Sequence, residues 1–231
     1  MEAGAGDRRG VGAGPRYEGV LFDHEGTLVD FQWRLAPAEI ELHQAYHGLG
    51  YHGEVFANDN YATMWNRAYD MAVAEGREDE LRRALYPIYD RWDADALTRW
   101  EPRPDASRVL QGLVEAGVRT GMVSNIGRPA LDAALARFDL ARWLSPVVGR
   151  GDVPYMKPRP EGIRLVLAGW RLGPEKVLFV GDSRADVLGA RAAGIDVVII
   201  RGGECDESAF VDCPPDHYVS VLVELLELVG P

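Results

Sequence analysis

Val20-Leu21-Phe22-Asp23-His24-Glu25-Gly26-Thr27-Leu28 is the stretch on which the reading of this 231-residue chain turns. Tyr17 to Phe22 is apolar at nearly every position, the pattern of a strand covered on both faces. Gly26 lets the chain reverse, and Thr27 and Asp30 offer short polar side chains to the turn. Asp23 and Glu25 therefore stand at the carboxyl end of a buried strand, where open parallel sheets bind ligands. One carboxylate can attack an electrophile or hold a cation while the other handles protons. Taken alone, an Asp-X-Glu is as well explained by a polar turn. Its meaning depends on what stands at the later strand ends.

Composition narrows the classes. Apolar residues at 47% and charged ones at 26% are ordinary for a globular protein. A net charge of −11 argues against a nucleic-acid or anionic-membrane surface, yet leaves room for a small anionic substrate beside a cation. The longest apolar run, near Val197–Ile200, is far too short to span a membrane. Cys205 and Cys213 lack zinc spacing and are too few for a disulfide scaffold, so they read as free thiols of a cytoplasmic protein. Residues 1–16, rich in Gly and Ala with three arginines and no apolar segment, read as a disordered tail.

Residues 31–100 differ in character. They hold 12 of the 21 aromatics, Phe56 among them, and most of the histidines. Ile40, Leu42, Tyr46 and Leu49 recur with helical spacing, as do Tyr61, Trp65, Tyr69 and Met71, then Leu81, Leu85 and Ile88. Pro37 suits a first helical turn, and Pro87 predicts a new helix or a kink. The segment is expected to be an all-α cap domain inserted after the first strand, its aromatics forming its core. His43 and His47 have the i, i+4 spacing of a metal pair, but with no Glu-containing zinc motif around them they read as surface residues.

From residue 101 helices and strands alternate. Asp105 is placed to cap a helix that runs to Gly117; Val118–Val123 reads as a strand ending in Ser124-Asn125; residues 129–138 form a helix and 146–148 a short strand. Lys157 follows in a loop. A helix over 161–170 leads to a buried strand, 177–180, that ends in Gly181-Asp182-Ser183-Arg184-Ala185-Asp186. A small-residue helix stops at Gly194, and strands at 197–200 and 217–219 and an amphipathic helix over 221–229 complete the chain. This alternation builds an α/β, Rossmann-like parallel sheet with helices on both faces, a core domain of 17–30 and 101–231 interrupted by the cap.

Four ends now carry chemistry: Asp23 with Glu25, Ser124 with Asn125, Lys157, and Asp182 with Asp186. Three or four carboxylates suit octahedral Mg²⁺, a hard cation that prefers oxygen. A lysine and a hydroxyl beside them suit a phosphoryl group. No Walker loop or dinucleotide fingerprint competes.

The four clusters together resemble the motifs of the haloacid dehalogenase (HAD) superfamily, with a helical C1-type cap, over residues 17 to the C-terminus. Asp23-His24-Glu25-Gly26-Thr27 is similar to its Asp-X-Asp-X-Thr motif, Val123-Ser124-Asn125 to its second, Lys157 in Met-Lys-Pro to its third, and Gly181–Asp186 to its acidic fourth. The resemblance implies that Asp23 is a nucleophile forming an aspartyl-phosphate and that Glu25 is the acid/base. Ser124, the Asn125 backbone and Lys157 would bind the phosphoryl group. Mg²⁺ would be held by Asp23, the Glu25 carbonyl and Asp182, with Asp186 supporting. It implies a phosphatase for a small phosphorylated metabolite, phosphoglycolate-like or a sugar phosphate, with no nucleic-acid or membrane partner and a monomer or weak homodimer. A phosphomutase of the same fold is the alternative. So is a binding or regulatory protein weakened at Glu25, where the family's phosphatases carry Asp. The extra methylene moves the carboxylate by roughly an ångström, enough to cost about 100-fold if uncompensated.

Overall fold

The apolar run before Asp23 is a strand, β1 (Gly19–Phe22), buried along its whole length. The computed structural model describes residues 15–52 and 59–230, so residues 1–14 of the expected tail, and Phe56, lie outside the described residues. Among the described residues, three helices follow β1: α1 (Leu35–Gly48), α2 (Tyr61–Glu75) and α3 (Glu78–Leu97). The chain then runs α4 (Ala106–Glu115), β2 (Arg119–Gly127), α5 (Arg128–Arg137), β3 (Val147–Arg150) and α6 (Glu161–Trp170). It ends with β4 (Val177–Gly181), α7 (Arg184–Ala193), β5 (Asp196–Ile200), β6 (His217–Val219) and α8 (Glu224–Val229).

All pairings in the six-stranded sheet are parallel, in the order β3-β2-β1-β4-β5-β6. β1 is central, with Leu21 opposite Gly121 of β2 on one side and Phe179 of β4 on the other. Side chains alternate between two cores, as period-2 strands require. Val20, Phe22, Met122, Leu178 and Val180 pack with α4, α5 and α8, whereas Leu21, Val123, Phe179 and Val197 pack with α6 and α7. The chain builds outward from β1 to β2 and β3, then crosses to β4 on the other side. That reversal opens a crevice at the carboxyl ends of β1 and β4.

The insertion is helical, with α1, α2 and α3 packed on one another. Its two connections run side by side: Asp30 donates its N–H to the Glu101 carbonyl at 3.0 Å, and Val29 bridges Pro102. The aromatics Trp65, Tyr46 and Tyr89 are fully buried in its core. Ile40 and Met71, counted above among the apolar stripes, face solvent instead. Each is two residues from a buried neighbour, Leu42 or Tyr69, and residues two apart do not share a helix face. Pro87 neither starts nor ends a helix, since α3 passes through it. A proline removes one i→i−4 bond, and the buried Leu81, Leu85 and Tyr89 around it hold the helix in place.

Three boundaries in the core differ from the sequence reading. β2 continues past Val123 to Gly127, and its register against β3 shifts between those residues, so Ser124-Asn125-Ile126 leave that ladder. Asp105 does not cap α4 with its side chain; its Oδ2 accepts from the Val223 N–H at 2.8 Å and ties α4 to the chain entering α8. α8 accordingly starts at Glu224 rather than Val221. Arg16, assigned to the tail by composition, donates its N–H to the Val229 carbonyl.

Candidate active site

The turn after β1 is held against the end of β4. Thr27 Oγ1 donates to Asp182 Oδ1 at 3.1 Å, and Gly26, at φ +77°, lies so close that an added Cβ would sit 1.9 Å from Asp182 Oδ2. Only glycine fits there, on both conformational and steric grounds. Asp182 Oδ2 also accepts the Glu204 N–H at 2.6 Å, from the loop after β5. Asp186, in the first turn of α7, spends one oxygen on its own helix start. Its Oδ2 accepts from the N–H groups of Asp182 and Ser183 and from the Ser183 hydroxyl, a capping box.

Its other oxygen, Oδ1, pairs with Lys157 Nζ at 2.6 Å, and the same ammonium lies 2.8 Å from Asp23 Oδ1. Asn125 sets this lysine in place. Its side-chain amide accepts from the Lys157 N–H at 2.8 Å and donates to the Lys157 carbonyl at 3.2 Å. Burial alone would lower the Lys157 value, but the Asp186 and Asp23 carboxylates hold it above the ordinary lysine range. Burial raises both aspartates: Asp23 against the pull of Lys157, and Asp182 well above the carboxylate range with Asp186 and Asp23 pushing the same way. Oxygens of Asp23, Asp182 and Asp186 lie within 4.8 Å of one another, the one such group among the described residues. Three buried carboxylates beside one ammonium, which Asp23 and Asp186 share, form an oxygen donor set short of positive charge, which fits a hard divalent cation.

Glu25 is fixed with equal care. Its Oε1 accepts three hydrogen bonds, from the Gln32 N–H at 2.8 Å, the Trp33 N–H at 2.6 Å and Trp100 Nε1 at 2.8 Å. Burial outweighs these donors and pushes the carboxyl up to about 8, so it keeps its proton at neutral pH. The three donors stand where the helical insertion leaves and rejoins the sheet, so the longer arm is met by the linkers themselves. Trp33 is braced in turn: its indole Nε1 donates to Asp93 Oδ1 at 3.1 Å, and Asp93 Oδ2 accepts from Gly127 N–H and from Arg150. Arg150 also donates to the Asn125 carbonyl at 3.1 Å. Hydrogen bonds thus connect the Glu25 side to the Asn125–Lys157 side through a buried ion pair.

Asp23, Glu25, Ser124, Asn125 and Lys157 line one cavity, with Asp182 and Asp186 in the acidic group beside it. Phe31, Tyr61, Ile126, Ser183 and Glu204 complete the lining. Of these, Tyr61 was read in the sequence as part of an apolar helical stripe, and Phe31 as a member of an aromatic-rich segment. Glu204 follows two glycines in a loop with no motif around it. His24, between the two carboxylates, is fully buried against the Trp100 ring, and desolvation drives it down to about 3, leaving it neutral. His43 and His47 belong to no metal-ligating group among the described residues. Arg67, Arg82 and Arg91 of the insertion pair with Asp59, Asp79 and Glu41, and neither they nor Arg83 line the cavity.

The family model of haloacid dehalogenase-like hydrolases matches residues 17–194. The phosphoglycolate phosphatase of Yersinia pseudotuberculosis is 30% identical over 220 residues, covering 92% of this chain and 93% of that protein. That of Salmonella typhimurium is 30% identical over 232 residues, covering 92% of each. A HAD-superfamily hydrolase of subfamily IA from Geobacter sulfurreducens superposes with a TM-score of 0.60 at 22% identity, over 94% of this chain and 98% of that one, a likeness of fold. Sheet order, the placement of the four motifs and the match along three quarters of its length agree: the chain belongs to the haloacid dehalogenase-like hydrolases.

Proposed function

We propose that the protein is a Mg²⁺-dependent phosphatase that hydrolyses a small phosphorylated metabolite through an aspartyl-phosphate on Asp23. Residues 31–100 serve as the cap over a core of 17–30 and 101–231. The observation that carries this reading is the pairing of Asp23 with Lys157 at 2.8 Å, beside two further buried aspartates and a carboxyl, Glu25, that holds a proton near neutrality. The relatives named as phosphoglycolate phosphatases support the same chemistry.

An Asp23 carboxylate oxygen attacks phosphorus while the bond to the leaving oxygen breaks, and Glu25 gives that oxygen its proton. The Glu25 carboxylate then takes a proton from water, whose oxygen attacks the aspartyl-phosphate and returns Asp23 and free phosphate. Lys157, the Ser124 hydroxyl and the Asn125 N–H hold the phosphoryl oxygens. Lys157 also favours the anionic form of Asp23, against the burial that raises its pKa. Mg²⁺ would be held by Asp23, the Glu25 carbonyl and Asp182, with Asp186 supporting through its grip on Lys157 and α7. When bound it neutralises charge on the phosphoryl group beside an anionic nucleophile. A helical insertion closing over the site restricts the substrate to a small ester. We also propose that the enzyme is cytoplasmic, monomeric or weakly dimeric, without nucleic-acid or membrane partners; no helix among the described residues is long and apolar enough to cross a membrane.

A decayed site finds no support in a Glu25 held by three donors. The test is phosphate release from small esters, with Mg²⁺ and with EDTA, for wild type and Asp23→Asn. Release that needs Mg²⁺ and disappears in the variant is expected. A Mg²⁺-binding protein that releases phosphate from none of them would overturn the phosphatase in favour of a mutase or binding role.

A further inference from the structure

We propose that Glu204 reads the leaving group, and that the preferred ester carries a hydrogen-bond donor there, an ammonium first and a hydroxyl second, and no carboxylate. This rests on the phosphatase reading and names the substrate class of that same site. The cavity lining divides by chemistry. Asp23, Glu25, Ser124, Asn125, Lys157 and Ser183 form the phosphoryl-transfer end; Phe31, Tyr61, Ile126 and Glu204 form the remaining wall. Glu204 takes no part in the steps above, yet its backbone is locked to the site. Its N–H is on Asp182 Oδ2 at 2.6 Å, and Gly203 before it is packed so tightly that a Cβ would stand 2.2 Å from the same oxygen.

No cation faces that wall among the described residues. Lys157 is the one ammonium in the lining, and Asp23 and Asp186 already share it. Arg103 and Arg150 are engaged elsewhere, Arg103 on the Gly26 carbonyl at 2.5 Å and Arg150 on Asp93 and Asp90. Residues 53–58 contribute no Lys, Arg or His in sequence. A leaving group bearing a second carboxylate would therefore be desolvated against Glu204 with no counter-charge, a repulsive element that discriminates strongly. An ammonium would donate to Glu204 and lie against the faces of Tyr61 and Phe31, which attract cations. A hydroxyl would keep the hydrogen bond without the charge. The preference runs opposite to the substrate named for the curated relatives.

The experiment measures kcat/KM at pH 8 with Mg²⁺ for three esters of similar size, O-phosphoethanolamine, 2-hydroxyethyl phosphate and 2-phosphoglycolate, with p-nitrophenyl phosphate as a general reporter. Wild type is compared with Glu204→Gln and Glu204→Lys. The expected order is ammonium, hydroxyl, carboxylate, with the first and last separated by about tenfold or more. In Glu204→Gln that ratio falls by about tenfold, and in Glu204→Lys it inverts. A ratio between two esters on one preparation is independent of how much of a variant folds. Phosphoglycolate as the best ester, or a ratio unmoved in both variants, overturns the inference while leaving the phosphatase intact. No release from any ester, the reporter included, overturns both.

Discussion

Glu25 shows how one extra methylene is absorbed. Its Oε1 sits at the meeting point of three donors spaced for the longer arm. Glu25→Asp should withdraw the carboxyl from all three and lower kcat by about 10- to 100-fold, measured as steady-state phosphate release. A gain in rate would mean that glutamate is a defect rather than a fitted part. The same residue sets a pH dependence of stability. Burial holds its folded value at about 8 against an ordinary 4.5, so the folded chain keeps a proton that the unfolded chain has lost. Stability from this source is full below 4.5 and is lost as pH rises through 8. In metal-free protein, urea unfolding should therefore show wild type losing stability relative to Glu25→Gln between pH 4.5 and 8, on the order of a few kcal/mol. The acid at position 25 was legible in the sequence. Its donors were not, because Gln32 and Trp33 act through backbone N–H groups, and Trp100 lies 75 residues away.

At the level of elements, α3 carries more than packing. Its buried stripe runs Leu81, Leu85, Tyr89, Asp93 and Ala96, an aspartate in an apolar seam. That aspartate takes Arg150 from β3, whose guanidinium also lies 4.8 Å from the Tyr89 ring centre. Asp93→Ala would leave Arg150 buried with only the more exposed Asp90, and strip acceptors from Trp33 and Gly127; a loss of about 3 kcal/mol is expected in denaturant unfolding. Asp90→Ala, with a side chain 45% exposed, should cost under about 1 kcal/mol. Equal losses would show that the pair with Asp93 is not special. The stripe read from the sequence ran through Leu81, Leu85 and Ile88, so Asp93 was not visible as part of a buried seam, and nothing in Val-Val-Gly-Arg says which helix the arginine meets.

For the whole molecule, the central imbalance is three buried carboxylates around one lysine. Mg²⁺ at a hundredfold excess over its Kd should stabilise the fold by about 2.7 kcal/mol, roughly 5–10 °C in Tm for a chain of this size. Asp182→Asn should abolish most of that shift and, without metal, melt no lower than wild type, because burial already disfavours its charge. A Mg²⁺ shift retained in Asp182→Asn would place the cation elsewhere. Strand periodicity sufficed to read the parallel sheet, and the four polar strand or loop ends are where the seven residues proposed for the site were found. What stayed hidden, Glu204, Tyr61, Asp93 and Arg150, acts through neighbours that only the folded chain supplies.

β1 is paired along both edges, and Asp23 itself donates its N–H to the Val180 carbonyl at 2.9 Å. In hydrogen–deuterium exchange, the amides of Val20 to Asp23 then have no local opening through which to trade protons, and their lifetimes should equal that of the whole sheet. The amides of Gln32 and Trp33 are bonded only to a side chain at a linker, so they should exchange through small excursions of the insertion. Asp23, the proposed nucleophile, is thus anchored in the segment expected to exchange slowest, while the Glu25 carboxyl is held by one expected to exchange faster, so small excursions of the insertion leave Asp23 in place.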